Sequence, residues 1–307
     1  MKQYLESLKY VMENGEDRGD RTGVGTRSIF GHTMRFDLRE GFPAMTTKKL
    51  AWKSVVSELL WFLEGSDDER RLAEILYGKP AKDLVGKNTI WTANADKQGV
   101  ELGYDNNDFV KRLGPVYGVQ WRAWEGIDEF HGALLRDEEP HTLHTYTSKK
   151  VDQIARLVDD IKNNPESRRH MLSAWNVSSI DKMALPPCHL LAQFYVSNGR
   201  YLNCMVNMRS IDSFLGLPFN IASYALLNHL MAQVTGLEAG ELIMTLGDLH
   251  IYNNHFDQVK EQLEREPLEL PKLWINPEIA RIDDFTMQDI KLENYQSHDS
   301  IKAPMAV

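Results

Sequence analysis

The sequence predicts an α/β or α+β chain without internal repeats. Three observations carry that reading: a helix-period opening followed by a strand-period run, two apolar segments of helical length that stop at glycine, and an Asn-Gly pair between two strand-like runs.

Leu5, Leu8, Val11 and Met12 recur at helical spacing up to Gly15, so the chain opens on an amphipathic helix. Phe30, His32, Met34, Phe36 and Leu38 then alternate at strand period. Trp52 to Leu63 reads as an apolar helix ended by Gly65, and Ile221 to Val234 as another ending before Gly236. The second has no charged residue, which predicts burial nearly all round. Asn198-Gly199, between Leu190 to Val196 and Tyr201 to Arg209, predicts a two-residue hairpin of the primed type. The stretch from Glu125 to Thr147 is polar, rich in His, Glu and Asp, and contains Pro140. It is read as a surface insertion within a single domain spanning residues 1–307.

With 307 residues, 42% of them hydrophobic and 26% charged, the chain can bury a sizeable core. The 35 basic and 44 acidic side chains leave a net charge of -9, which argues against a broad DNA or anionic-membrane surface. Any anionic ligand must therefore meet clustered arginines. No apolar run reaches the roughly 18 residues a spanning helix needs, and Met1 to Glu13 does not read as a signal peptide. Two cysteines, Cys188 and Cys204, form neither a disulfide framework nor a metal knuckle, so a cytoplasmic, reducing location is expected.

If residues 198 and 199 form the loop, counting outward sets Cys188 opposite Arg209 and Cys204 opposite Gln193. Five strand steps, roughly 17 Å, would separate the cysteines, too far for a disulfide. A guanidinium opposite Cys188 would favour its thiolate and make it a candidate nucleophile; Cys204, among Leu202 and Val206, reads as a small buried hydrophobe. Glu58 is flanked by Val55, Trp61 and Phe62 at helical spacings, so its carboxyl faces desolvation and a raised pKa suited to proton transfer, unless it lies at the helix's solvent edge. Arg21, in Asp20-Arg21-Thr22-Gly23-Val24-Gly25, and the pair Arg168-Arg169 could hold a phosphate. The glycines near Arg21 lack the spacing of a nucleotide-binding fingerprint.

Leu185-Pro186-Pro187-Cys188-His189 and the run from Arg209 through Asp212, Leu215 and Gly216 to Phe219-Asn220 resemble the thymidylate synthase family, a likeness that extends from Asp20 to Val307 outside the insertion. The resemblance implies a mixed sheet packed on helices, with sheets face to face in a homodimer, and no metal. It implies that Cys188 attacks C6 of deoxyuridylate (dUMP), with Glu58 and Tyr117 handling protons and Asn220 reading the uracil edge. Arg21, Arg209 and Ser210 match phosphate ligands, Arg168 and Arg169 match the pair that reaches the partner's phosphate, and His250 and Tyr252 match sugar contacts. Lys48, Trp91, Asp212, Leu215, Gly216, Phe219 and the terminal Val307 match positions around the folate, 5,10-methylenetetrahydrofolate.

Some residues depart from the family pattern. Asn207-Met208-Arg209-Ser210 stands where Tyr-Gln-Arg-Ser is usual, and it looks like the deoxycytidylate hydroxymethylases of the same superfamily, as does Leu249 before His250. Thr92 replaces the usual acidic residue after Trp91, and Tyr295-Gln296-Ser297-His298-Asp299 replaces a common Pro-His-Pro. The cytosine enzymes carry aspartate where this chain has Asn220, so uracil is the expected base. The readings are then methyl transfer giving thymidylate and dihydrofolate, hydroxymethyl transfer giving 5-hydroxymethyl-dUMP and tetrahydrofolate, or a non-catalytic nucleotide- or RNA-binding regulator.

Overall fold

A computed structural model describes residues 1–136 and 139–305. Helix α1 (Lys2–Asn14) and strands β1 (Glu16–Arg18) and β2 (Thr26–Asp37) open the chain, followed by α2 (Trp52–Glu64), α3 (Glu69–Tyr77) and the short α4 (Thr92–Asn94). Next come α5 (Tyr117–Ala123), β3 (Trp124–Arg136), β4 (Glu139–Val151), α6 (Gln153–Asn163), β5 (Met171–Ser173), β6 (His189–Ser197) and β7 (Tyr201–Asp212). The last elements are α7 (Gly216–Thr235), β8 (Glu238–Tyr252), α8 (Phe256–Leu263), β9 (Lys272–Ile275) and β10 (Ile290–Glu293). The main sheet has six strands in the order β1-β2-β8-β7-β6-β5; β7 and β8 are parallel and the other pairs antiparallel, so the sheet is mixed as expected.

One face of that sheet is dry. Leu202, Cys204, Val206 and Met208 of β7 and Leu242, Met244 and Leu246 of β8 are buried in the same core as Ile221, Ala225, Leu226 and Leu230 of α7. Helix α7 is buried along most of its length, as its lack of charge requires, and it begins earlier than its apolar run, at Gly216, because Pro218 falls in the first turn where a missing N–H costs nothing. Gly65 and Gly236 end α2 and α7 in the left-handed conformation, at φ +73° and +74°. The opposite face of the sheet, with Asn203, Met205 and Asn207 on β7 and Ile243 and Thr245 on β8, is only half-buried.

Two sequence expectations change here. The β2 alternation holds for Met34 and Phe36 but fails at Phe30, which is 87% exposed beside Gly31, whose φ of +84° interrupts the extended backbone. In the hairpin, Asn198 (φ 53°) and Gly199 (φ 60°) make the primed turn, closed by Arg200 N–H to the Ser197 carbonyl at 3.1 Å. Ser197 nevertheless pairs with Tyr201, so Arg200 is an extra residue and Cys204 stands opposite Phe194 instead of Gln193. A second irregularity, between His189 and Leu191, restores the count, and Arg209 N–H donates to the Cys188 carbonyl at 2.8 Å. The expected Cys188–Arg209 juxtaposition survives because two one-residue offsets cancel.

Among the described residues, strands β3 and β4 pair only with each other, in register from Trp124↔Val151 to Arg136↔Glu139, and form a two-stranded ribbon over the segment read as an insertion.

Candidate active site

The site gathers where the middle of α2, the start of α5, the start of β6 and the end of β7 meet. Glu58, on the buried face of α2, is 5% exposed; it is not at a solvent edge. Its carboxylate accepts the Trp91 indole N–H at 2.6 Å. Burial pushes the Glu58 carboxyl up to about 7, against the smaller opposing effect of that hydrogen bond. Near neutrality such a group gives up or takes a proton at little cost.

Tyr117 opens α5 and is held near Glu58 because α5 runs against α2 at Gly118. A Cβ there would stand 2.7 Å from the Phe62 carbonyl oxygen and 2.9 Å from its Cα. The Tyr117 hydroxyl accepts the Cys188 backbone N–H at 2.7 Å, which fixes the cysteine at the mouth of β6. The Tyr117 ring stacks on His189 at 3.9 Å between centroids and 14° between planes, and His189 Nδ1 lies 2.6 Å from the Tyr224 hydroxyl of α7. Burial pushes His189 down to about 3, so its ring is neutral at physiological pH.

The Cys188 thiol is half-buried, with its Sγ 3.9 Å from Arg209 Nη2. Burial raises its pKa and Arg209 opposes the rise, with burial the larger influence. Arg209 does favour the thiolate, as its place opposite Cys188 leads one to expect, but it offsets the desolvation only in part. Arg209 is itself anchored, donating from Nε to the Pro187 carbonyl at 2.8 Å and from Nη2 to the Pro186 carbonyl at 3.0 Å, with Trp175 5.6 Å away across its ring face. Cys204 is fully buried, and burial pushes its thiol far up, consistent with an inert hydrophobe.

On β7 and β8 the parallel register sets Ser210 beside Asp248 and Asp212 beside His250. His250 Nδ1 is 3.1 Å from Asp248 Oδ1, and its ring meets Tyr252 edge-on at 5.2 Å. Burial raises the Tyr252 hydroxyl, with Asp212, Asp20, Arg21 and Cys188 all close enough to act on it. Arg21 lies in an exposed turn, near enough to Tyr252 to lower its hydroxyl slightly. Asn220, in the second turn of α7, makes no side-chain hydrogen bond to a described residue, so its amide is free to meet a ligand's donor and acceptor.

Asp212 Oδ1 caps the turn into α7 by accepting the Phe214 N–H at 2.9 Å and the Leu215 N–H at 3.3 Å; Oδ2 has no partner among the described residues. With half-buried Leu215, Gly216 and Phe219 beside it, that free acceptor fits a flat heterocycle bearing N–H donors, as a folate does. Lys48 is 8% exposed, donates to the Phe214 carbonyl and lies 3.3 Å from the centre of the Phe214 ring; burial pulls it down to about 7. Val307 lies outside the described residues. Arg168 and Arg169 are not brought to Cys188 within this chain: they are exposed and line a cavity of about 820 Å³ with Asp160, Asn163 and Glu166. Neither has a carboxylate partner among the described residues.

Sequence reasoning gave no role to His189, Tyr224, Trp175 or the buried pair Glu69–Arg70. Glu69 accepts from Arg70 Nε at 2.6 Å, and its Oε1 also accepts the hydroxyls of Thr89 at 2.7 Å and Thr92 at 2.5 Å. Thr92, in place of an acidic residue, thus ties the turn carrying Trp91 to a carboxylate contributed by α3. The only signal for His189 is its place next to Cys188; Tyr224 and Glu69 come from distant segments.

A mixed sheet under a long buried helix, with a cysteine, an arginine and a buried, protonatable glutamate brought together beside it, is an arrangement suited to an enzyme. The family model described as thymidylate synthase matches residues 2–307, and the chain belongs to the thymidylate synthase family. It is a one-carbon transferase of nucleotide biosynthesis, of the kind that acts on deoxyuridylate with a folate. Among the described residues no helix is long and apolar enough to cross a membrane.

Proposed function

We propose that the chain converts dUMP to thymidylate, with 5,10-methylenetetrahydrofolate leaving as dihydrofolate. The observation that carries this reading is Cys188 Sγ 3.9 Å from an anchored Arg209, in one site with a Glu58 carboxyl that titrates at about 7. Cys188 adds to C6 of the uracil, which makes C5 nucleophilic. Asn220 presents one donor and one acceptor to the uracil edge, and Arg21, Arg209 and Ser210 hold the phosphate while His250 and Tyr252 hold the sugar. Glu58 and Tyr117 take up and return the protons that addition and elimination move. The folate supplies the one-carbon unit and a hydride; Asp212 Oδ2, Leu215, Phe219, Trp91 and Lys48 line the side assigned to it.

The active unit is a homodimer in which Arg168 and Arg169 of each copy complete the other's phosphate site. The half-buried sheet face and the lack of a carboxylate partner for this pair among the described residues support it. A second reading, water capture giving 5-hydroxymethyl-dUMP, draws on Asn207, which shares the outer face of β7 with Arg209 and makes no side-chain hydrogen bond to a described residue. The cysteines test the chemistry. Cys188→Ala is expected to abolish thymidylate formation while Cys204→Ala keeps most of it; equal loss in two folded variants would refute the assignment.

A further inference from the structure

The C-terminal segment is fastened in two places of different kind. Up to Asp299 it is held by several bonds: the Tyr295 hydroxyl donates to the Met45 carbonyl at 2.6 Å, His298 N–H to the Thr46 carbonyl at 2.8 Å, and Arg265 Nη1 to the Asp299 carbonyl at 2.6 Å. Beyond Asp299, among the described residues, one hydrogen bond connects it to the rest of the fold, between His255 Nε2 and the Pro304 carbonyl at 2.7 Å.

His255 is fully buried, packed between the rings of Phe214 at 5.5 Å and Tyr252 at 5.6 Å. A proline carbonyl only accepts, so Nε2 carries a hydrogen. The other nitrogen, Nδ1, is buried without a hydrogen-bond partner and lies 3.8 Å from Asp212 Oδ1, just beyond hydrogen-bond reach. One side chain therefore holds the last described stretch of the chain by a hydrogen bond and packs, at 3.8 Å and without a hydrogen bond, beside the carboxylate whose turn starts α7.

We propose that His255 is a positioning residue that seats the C-terminal segment against the Asp212 turn and so sets how that turn receives the cofactor. The claim rests on the reading of Asp212 as a cofactor residue; the seating itself does not. Because the ring packs between the tail and Asp212, loss of its bond to Pro304 is expected to loosen the tail and shift the packing beside Asp212. Glutamine at 255 could keep an N–H for Pro304, whereas phenylalanine fills the volume and donates nothing.

Two readouts separate these layers. In the ligand-free protein, carboxypeptidase is expected to release residues C-terminal to Pro304 about tenfold faster from His255→Phe than from wild type, the loss of one hydrogen bond of about 1.4 kcal/mol. His255→Gln should release them at close to the wild-type rate. In turnover, KM for methylenetetrahydrofolate should rise about tenfold in His255→Phe, with dUMP affinity in calorimetry unchanged. A folded His255→Phe that releases its tail at the wild-type rate, or a Gln variant as loose as Phe, overturns the proposal. If wild type shows no folate turnover but the release rates divide as stated, the seating stands and the cofactor reading falls. Should His255→Phe fail to fold, ring ¹⁵N shifts of labelled wild-type protein decide instead: hydrogen on Nε2 is expected, and a neutral ring with its hydrogen on Nδ1 overturns the proposal.

Discussion

Glu58 shows how a single residue couples stability to chemistry. Its folded pKa of about 7 lies above the ordinary glutamate value of 4.5, so the protonated form is favoured by folding. That contribution is complete below about pH 4.5 and is lost as pH rises through 7. Glu58→Gln should therefore gain about 3 kcal/mol over wild type in urea unfolding at pH 8 and nothing at pH 4, while turnover falls about a hundredfold or more. A gain equal at both pH values would place the effect elsewhere. Asn220→Asp should move substrate preference toward deoxycytidylate, since a protonated carboxyl meets the cytosine edge; unchanged selectivity in competition assays would remove Asn220 from base recognition. Cys188, Glu58 and Arg209 were legible in the sequence because each breaks a local pattern: a thiol at a strand start, a charge in an apolar helix, a cation facing the thiol. His189, Tyr224 and Glu69 break none; their roles come from contacts between distant segments. Register showed the charge that favours the Cys188 thiolate but not the depth of burial that opposes it.

Among the elements, the site depends on α5 lying close against α2. Gly118 permits that approach, and Gly118→Ala forces a Cβ to within 2.7 Å of backbone oxygen. The variant should lose about 1–3 kcal/mol and more than tenfold in turnover, because α5 moves and takes the Tyr117 hydroxyl away from Cys188. Wild-type melting temperature and rate together would show that the packing tolerates the methyl group. Helix periods and glycine stops located α1, α2 and α7 from sequence, since burial of one face or all faces is written in the spacing of apolar residues. Strand register was less legible: Arg200 and the His189/Leu191 irregularity leave no mark on alternation, and Phe30 was misread because Gly31 changes the backbone direction there.

Across the whole molecule, a chain of net charge -9 must concentrate arginines to hold an anionic substrate, and the proposed phosphate site draws on four of them. Arg209 lies beside Cys188, while Arg168 and Arg169 stand exposed on the loop after α6, the placement that the proposed shared phosphate site requires. Mixing inactive Arg168→Ala chains with inactive Cys188→Ala chains should restore about a quarter of the sites by random pairing in dimers. No recovery after verified subunit exchange would mean that each chain completes its own site. The product is tested most directly by incubating the wild-type protein with dUMP and 5,10-methylenetetrahydrofolate, weighing the nucleotide and following dihydrofolate absorbance. A nucleotide heavier by one CH₂, with one dihydrofolate formed for each, is the expected result; one heavier by CH₂O with no dihydrofolate would contradict it.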